Sequence, residues 1–439
     1  MALSLRSMLR QLSNSGQGYV AALLTGYGLM GLTIIVQLAL IPLYLTHLGK
    51  ERFGVLIIIM ATNSYAAIAI AWLSGSMARI LAERAAVNDI AGFREAYAFS
   101  KIVYVTYAFI LVTLFWIAAL FLMPTALADW EIRAAVVLSC VYFLLAYEYN
   151  TDRQAFIARH LQACGNLREA AGQVVFAIGV GLGLFLDLGL PSVIGAQIAG
   201  IVCTRMLAWR YWRKDSYKLG WLPSISGRRE LWGRVSGRVG RDYALYGAIV
   251  LTLQADALLI GWFAGPELAA TYYLLWRIPE VCILILWRIP GTFSPHFIAM
   301  DARNERETLQ RSYRAGLRAM LMLAGLVALA YGLAGSWILE LWVGEYAIAG
   351  KMPYMIAGAA LFFIALSKWP AEIAYALMNT RRLVAIAAFE VASKLLLFWA
   401  LFTSFGYLSP LIAIVLVHVC AVSWLYIHIG KSTASNKFQ

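Results

Sequence analysis

The 439-residue chain is 62% hydrophobic and 13% charged, with a mean hydropathy of +0.73. Soluble globular chains carry about 25% charged residues, so a water-soluble globule is excluded. The formal charge of +13, from 36 Lys+Arg against 23 Asp+Glu, would point to nucleic acid in a soluble protein, but in a membrane chain cations first mark the cytoplasmic side.

Runs of about 20 mostly apolar residues predict twelve transmembrane helices, at 18–48, 53–82, 97–123, 131–158, 167–187, 191–212, 242–263, 268–298, 316–342, 353–378, 383–404 and 409–429. Ahead of the first, Leu5, Met8, Leu9 and Leu12 oppose Arg6 and Arg10, the pattern of an interfacial helix or of a plain topology signal. The first span is too long for a signal peptide and is expected to stay in the mature protein. Its Gly26-Tyr27-Gly28-Leu29-Met30-Gly31 matches G-x-G-x-x-G, but with no strand before it the motif reads as close helix packing.

Ionisable residues inside spans are costly and mark candidate sites. The second span carries Arg79, and the fourth carries Glu148 and Asp152, acids that could exchange a proton or Na⁺ or simply satisfy a neighbouring arginine. Between the sixth and seventh spans, Leu231, Trp232, Val235 and Val239 alternate at helical spacing with Arg228, Arg229, Arg234, Arg238 and Arg241. This stretch reads as a second interfacial helix on an anionic leaflet or as a solvated linker. The expected division is an N-terminal six-helix lobe (1–213), a cytoplasmic amphipathic linker (214–241) and a C-terminal six-helix lobe (242–439).

Asp256 sits near the middle of the seventh span. The eighth holds Trp276-Arg277-Ile278-Pro279 and, 11 residues on, Trp287-Arg288-Ile289-Pro290. Eleven residues at about 100° each make three turns, so both guanidinium groups share a face about 16 Å apart, a ladder suited to a diphosphate. The competing expectation is an Arg277–Glu280 ion pair locking a proline-bearing helix, with Arg288 near the inner interface. Lys368 and Lys394 follow in the tenth and eleventh spans, each with an acid at i±4, Glu372 and Glu390, that could neutralise it. Each lysine is a substrate contact or half of a structural pair. Asp256, Glu148, Asp152 and Glu280 are the candidates for H⁺ or Na⁺ coupling.

Other motifs carry no chemistry. Gly430-Lys431-Ser432 imitates a P-loop end, but Leu425 stands where its glycine is required. Five cysteines (Cys140, Cys164, Cys203, Cys282 and Cys420) and five scattered histidines give no metal-ligand spacing, so neither a metal nor a bound cofactor is expected.

With the N-terminus inside, the inward segments and adjoining helix ends carry 28 Lys/Arg. The outer loops carry four, Lys50, Arg52, Arg133 and Lys351, so both termini are expected in the cytoplasm. The halves also resemble each other. Leu48-Gly49-Lys50-Glu51 falls on Ala264-Gly265-Pro266-Glu267 at an offset of 216, and Phe185-Leu186-Asp187-Leu188-Gly189 falls on Phe402-Thr403-Ser404-Phe405-Gly406 at 217. Both inner loops that follow, Asp89 to Glu95 and Asp301 to Arg311, are charged. Two six-helix bundles of the same topology, related by an axis along the membrane normal, are expected.

Ile41-Pro42-Leu43-Tyr44-Leu45 with Leu48-Gly49 and Phe53-Gly54, then Gln254-Ala255-Asp256-Ala257-Leu258-Leu259-Ile260-Gly261, then Leu339-Glu340-Leu341-Trp342-Val343-Gly344, resemble bacterial Wzx-type O-antigen and exopolysaccharide flippases. These are polysaccharide transporters of the multidrug/oligosaccharidyl-lipid/polysaccharide exporter (MOP) superfamily, and the resemblance runs over essentially the whole chain. It implies an all-α, MATE-like fold with two lobes around a cationic cavity. The implied activity is the flipping of undecaprenyl-diphosphate-linked oligosaccharides between leaflets of the bacterial inner membrane, without enzymatic chemistry. The lipid-linked oligosaccharide, membrane lipids and the polysaccharide polymerase and ligase machinery are the implied partners, and Arg277, Arg288, Lys368, Lys394 and Arg79 the substrate contacts. A multidrug antiporter of the same fold is the alternative, although the first span has no acid between Val20 and Thr46. A membrane glycosyl- or acyltransferase would need a D-x-D or similar cluster, which the sequence lacks.

Overall fold

The computed structural model describes residues 5–122, 129–219, 231–233, 255–377 and 379–435, all of them in helices or the turns between. Most of the basic linker, 220–230 and 234–241, lies outside these residues, as do the side chains of the amphipathic N-terminal stretch. Helix α1 (Leu5–Ala86) is broken at Gly49 into two arms, and α2 (Ile90–Leu122), α3 (Trp130–Ala158), α4 (Gln162–Phe185) and α5 (Gly189–Lys214) follow. After the linker come α6, described over Ala255–Ala264, then α7 (Pro266–Ala302), α8 (Arg306–Val343), α9 (Met352–Ala376), α10 (Thr380–Phe405) and α11 (409–435). In α11 the α-helices Ser409–Val417 and Ser423–Ser435 are joined by a π-helical turn, His418–Val422.

Counting the arms of α1 separately, the described residues hold twelve helical segments, the seventh only over Ala255–Ala264, where twelve spans were expected. Nine continuous helical stretches among the described residues are long and apolar enough to cross a membrane. Two of them, Val20–Thr62 and Thr380–Ser435, each contain a glycine break between two segments. Met322, Leu326, Leu329, Leu333, Trp337 and Leu341 of α8 recur at helical spacing and are each more than 60% exposed. An apolar stripe of that length is a liability in water and the expected face in lipid.

The repeat reaches the backbone. Gly49 (φ 75°, ψ 170°) and Gly265 (φ 88°, ψ 168°) share a conformation closed to residues with a Cβ, at the predicted offset of 216. Gly189 (φ 65°) and Gly406 (φ 52°) both take positive φ at 217, and Asn88 (φ 54°) and Asn304 (φ 59°), a residue type that tolerates the left-handed region, do so in the charged turns, again 216 apart. Three pairs of positive-φ residues at offsets of 216 or 217 mark two copies of one chain path.

The chain divides into two compact units, 1–49 with 66–239 and 50–65 with 240–439. In the first, α4 lies along α5, and α3 packs on α5 and α2. The contact is close because Gly172 and Gly200 face each other: a Cβ on either would lie 2.7 Å from the other's carbonyl oxygen. An aromatic core of Phe93, Tyr97, Tyr104, Phe143, Phe156 and Trp212 fills the space between these helices. In the second unit α9 is central, packed on α7, α8 and α11, with α10 against α11. Gly358 lets α9 approach α8, its would-be Cβ 2.6 Å from the Ala328 carbonyl oxygen. The segment 50–65 belongs here through Phe53 on Tyr273 (ring centroids 5.8 Å apart), Ile58 against Gly261, and Gly54 against the Pro266 backbone.

Candidate functional site

In the N-terminal unit, Tyr97 and Lys101 lie one turn apart on α2 and face Glu148 and Asp152, one turn apart on α3. Lys101 Nζ stands 3.0 Å from Glu148 Oε1 and 3.8 Å from Asp152 Oδ2. Arg205 of α5 pairs with the other oxygen of Glu148, and the Tyr97 hydroxyl donates to Asp152 Oδ1 at 2.6 Å. Around them Gln154 donates to the Tyr104 hydroxyl at 2.8 Å, and Ser100 meets Thr151 at 3.2 Å. Two carboxylates thus meet two cations inside an apolar bundle, the arrangement that makes buried charge tolerable. Glu148 and Asp152 were legible as buried acids. Lys101 and Arg205 were not, because they sit near helix ends where positive charge reads as a topology signal. Arg79 of α1 is exposed and pairs with Glu83 at 2.8 Å.

The C-terminal unit holds two clusters on consecutive turns of α10. Lys394, 2% exposed, places Nζ 2.7 and 2.9 Å from the two oxygens of Asp256 on α6, and Tyr272 of α7 donates to the same carboxylate at 2.6 Å. The spacing offered Glu390 as the partner of Lys394, but the two side chains diverge to different helices. Glu390 instead accepts from the Tyr426 hydroxyl at 3.0 Å and meets His418 Nε2 at 3.3 Å, both on α11. Tyr272, His418 and Tyr426 carried no spacing signal because each contact crosses between helices.

The remaining cations lie on α7 and α9. Arg277 donates to Glu280 Oε2 at 2.7 Å and lies 5.6 Å from the Tyr273 ring centre, so the ion pair expected as the alternative is formed. Lys368 pairs with Glu372 at 2.9 Å and stands 5.5 Å over the Trp287 ring. Arg288 is exposed. The two arginines, placed on one face by their spacing, differ in surroundings because Arg277 folds back onto its own helix toward Glu280. Of the five candidate substrate cations, Arg288 and Arg79 present the most accessible side chains.

Outside the helices, the turn between α1 and α2 is fixed by Asp89. The Gly92 amide donates to its Oδ1 at 2.9 Å and Arg84 binds Oδ2 at 2.7 Å, and together these hold the carboxyl below its ordinary value.

The arrangement of helices is that of the MATE-like fold. A multidrug resistance MATE family transporter of the MOP superfamily in an inward-facing conformation superposes with a TM-score of 0.76 at 14% identity, over 91% of this chain and 94% of that one. The lipid II flippase MurJ in an inward closed conformation gives a TM-score of 0.64 at 11% identity, over 94% and 90%. A MOP superfamily transporter from Pyrococcus furiosus, described as having a binding pocket of reversed polarity, gives 0.56 at 14% identity, over 96% and 95%. No protein-family model and no curated protein matches the sequence.

Proposed function

We propose that this chain is a transporter that flips an undecaprenyl-diphosphate-linked oligosaccharide across the bacterial inner membrane, with both termini in the cytoplasm. The observation that carries the reading is the fold likeness, over 94% of the chain, to the lipid II flippase MurJ. It is supported by the sequence resemblance to Wzx-type flippases and by the cation set of α7 and α9. Arg288 offers a permanently charged planar fork matched to phosphate oxygens, and Lys368 beside Trp287 offers a second charge next to an aromatic face. Arg277 and Lys394 contribute field rather than direct contact, since each is engaged by a carboxylate. The oligosaccharide polymerase and ligase machinery would consume the product, and an H⁺ or Na⁺ gradient would drive the cycle.

The test is flipping of a fluorescent undecaprenyl-diphosphate-linked oligosaccharide in proteoliposomes, read by access of a membrane-impermeant quencher. Wild type flips it, Arg288→Lys keeps part of the rate, and Arg288→Ala loses it while the folded yield stays unchanged. A normal rate for Arg288→Ala combined with Lys368→Ala would remove the phosphate-binding role. The likeness to the multidrug resistance MATE transporter favours a second reading, an ion-coupled multidrug antiporter. Drug efflux with no flipping of the lipid-linked sugar would establish that reading instead.

A further inference from the structure

Glu390 and Lys394 are neighbours on α10, yet the lysine is engaged by both oxygens of Asp256. Among the described residues no lysine or arginine pairs with Glu390, which is buried at 9% exposure. Its partners are a phenol and an imidazole, Tyr426 Oη at 3.0 Å and His418 Nε2 at 3.3 Å. A carboxylate held this way leaves the cluster with one net negative charge, an expensive state in a membrane-spanning bundle.

The other edge of the His418 ring shows how that charge can be cancelled. Nδ1 stands 3.4 Å from Ser367 Oγ on α9 and 3.3 Å from Ser423 Oγ, while the ring stacks on Phe363 at 5.9 Å between centroids. The Ser367 hydroxyl already donates to the Phe363 carbonyl at 2.9 Å, so its oxygen can only accept from the ring. The Ser423 hydroxyl is free to rotate and can donate or accept. When Glu390 is ionised it takes Nε2–H, which leaves Nδ1 as a lone pair served by Ser423. A proton arriving at Nδ1 meets one oxygen that lacks a donor and a second that can turn to accept. The imidazolium then gives one N–H to Glu390 and the other to the serines, and the cluster is neutral. No heavy atom has to move.

Other charges around the ring are matched. On α9, Lys368 is paired with Glu372. On α10 and α6, Lys394 is paired with Asp256. On α8, the Tyr313 hydroxyl donates to the Ile427 carbonyl. His418 also opens the π-helical turn that interrupts α11, and Ser423, five residues on, closes it. Single π turns inside α-helices recur at functional sites, where the widened turn re-aims a side chain.

We propose that Glu390, His418 and Tyr426 form a proton-binding site of the C-terminal unit, which loads one proton at His418 Nδ1 and releases it in each cycle. Its use in a cycle rests on the transporter reading, whereas proton binding does not. The site differs from the coupling candidates Asp256, Glu148, Asp152 and Glu280, each of which has a Lys or Arg partner.

The experiment uses the full-length protein with ¹⁵N-labelled histidine rings in lipid nanodiscs, the His418 signals being identified by their loss in His418→Gln. Between pH 9 and pH 5 the lone-pair Nδ1 resonance should give way to that of an imidazolium. Glu390→Gln, which keeps the shape and the hydrogen bonds but removes the charge, should lower the proton affinity of the ring at least tenfold. A ring that stays in one form across this range, or titrates identically in Glu390→Gln, overturns the site. In proteoliposomes an imposed pH gradient should accelerate flipping of the fluorescent lipid-linked oligosaccharide in wild type and not in Glu390→Gln. Flipping indifferent to the gradient in wild type overturns the coupling. Absence of flipping at every pH overturns the transport reading and leaves the ring titration to decide the site.

Discussion

In the N-terminal unit Glu148 and Asp152 face Lys101 and Arg205, so two carboxylates share two cations drawn from two other helices. In the C-terminal unit Asp256 holds Lys394 and accepts from Tyr272, and Glu390 has a histidine and a phenol. The first network is balanced and redundant: losing any one cation leaves Glu148 a second. The second is divided into a pair that has no second cation among the described residues and an open acid whose charge waits on a proton. Two copies of one chain path have therefore been given different electrostatic tasks, one suited to holding helices together and the other to exchange.

The sharpest way to break this contrast is Lys394→Met, which strands Asp256 in an apolar setting and should cost about 3–5 kcal/mol of stability. Adding Asp256→Leu should recover most of the loss, as followed by unfolding of the purified protein in detergent. Arg205→Met comes next, at about 1–3 kcal/mol, because Lys101 still faces Glu148. If Arg205→Met proved as costly as Lys394→Met, the redundancy argued for the N-terminal network would be wrong.

Packing should not distinguish the units. Gly172→Ala and Gly358→Ala each drive a methyl into a carbonyl oxygen of the neighbouring helix, and each should cost about 1–3 kcal/mol by apparent Tm. A large loss at one and none at the other would show that only one of these helix contacts is tight. The smallest effect is expected at Asp89. Its folded-state carboxyl sits below the ordinary value, so its contribution is present above that value and is lost as pH falls through the lowered one. Asp89→Asn should therefore lower Tm slightly at pH 7, and the difference should vanish in acid.

The helices were legible in the sequence because a 20-residue apolar run has few other uses, and the turns because Gly49 and Gly265 recur at one offset. Pairings along one helix were legible too: Lys368 with Glu372 and Arg277 with Glu280 both follow helical spacing. Pairings between helices were not. The Lys394–Asp256 bridge joins residues 138 apart, and His418 meets Glu390 across 28, distances at which one sequence carries no periodic signal. Spacing alone therefore gave Lys394 the wrong carboxylate and passed over the histidine.

The chain order of the second unit has a consequence in time. Phe53, Gly54 and Ile58 are made early, but Tyr273, Pro266 and Gly261, against which they pack, lie more than 200 residues further along. At synthesis rates of roughly 5–20 residues per second, the second arm of α1 must wait on the order of 10–40 s for those partners to emerge. For that interval its glycine-bearing face is covered by lipid or by whatever insertion machinery holds it. A ribosome stalled between Ala86, where α1 ends, and Gly261 would leave the second arm of α1 without these partners, a natural target for quality control.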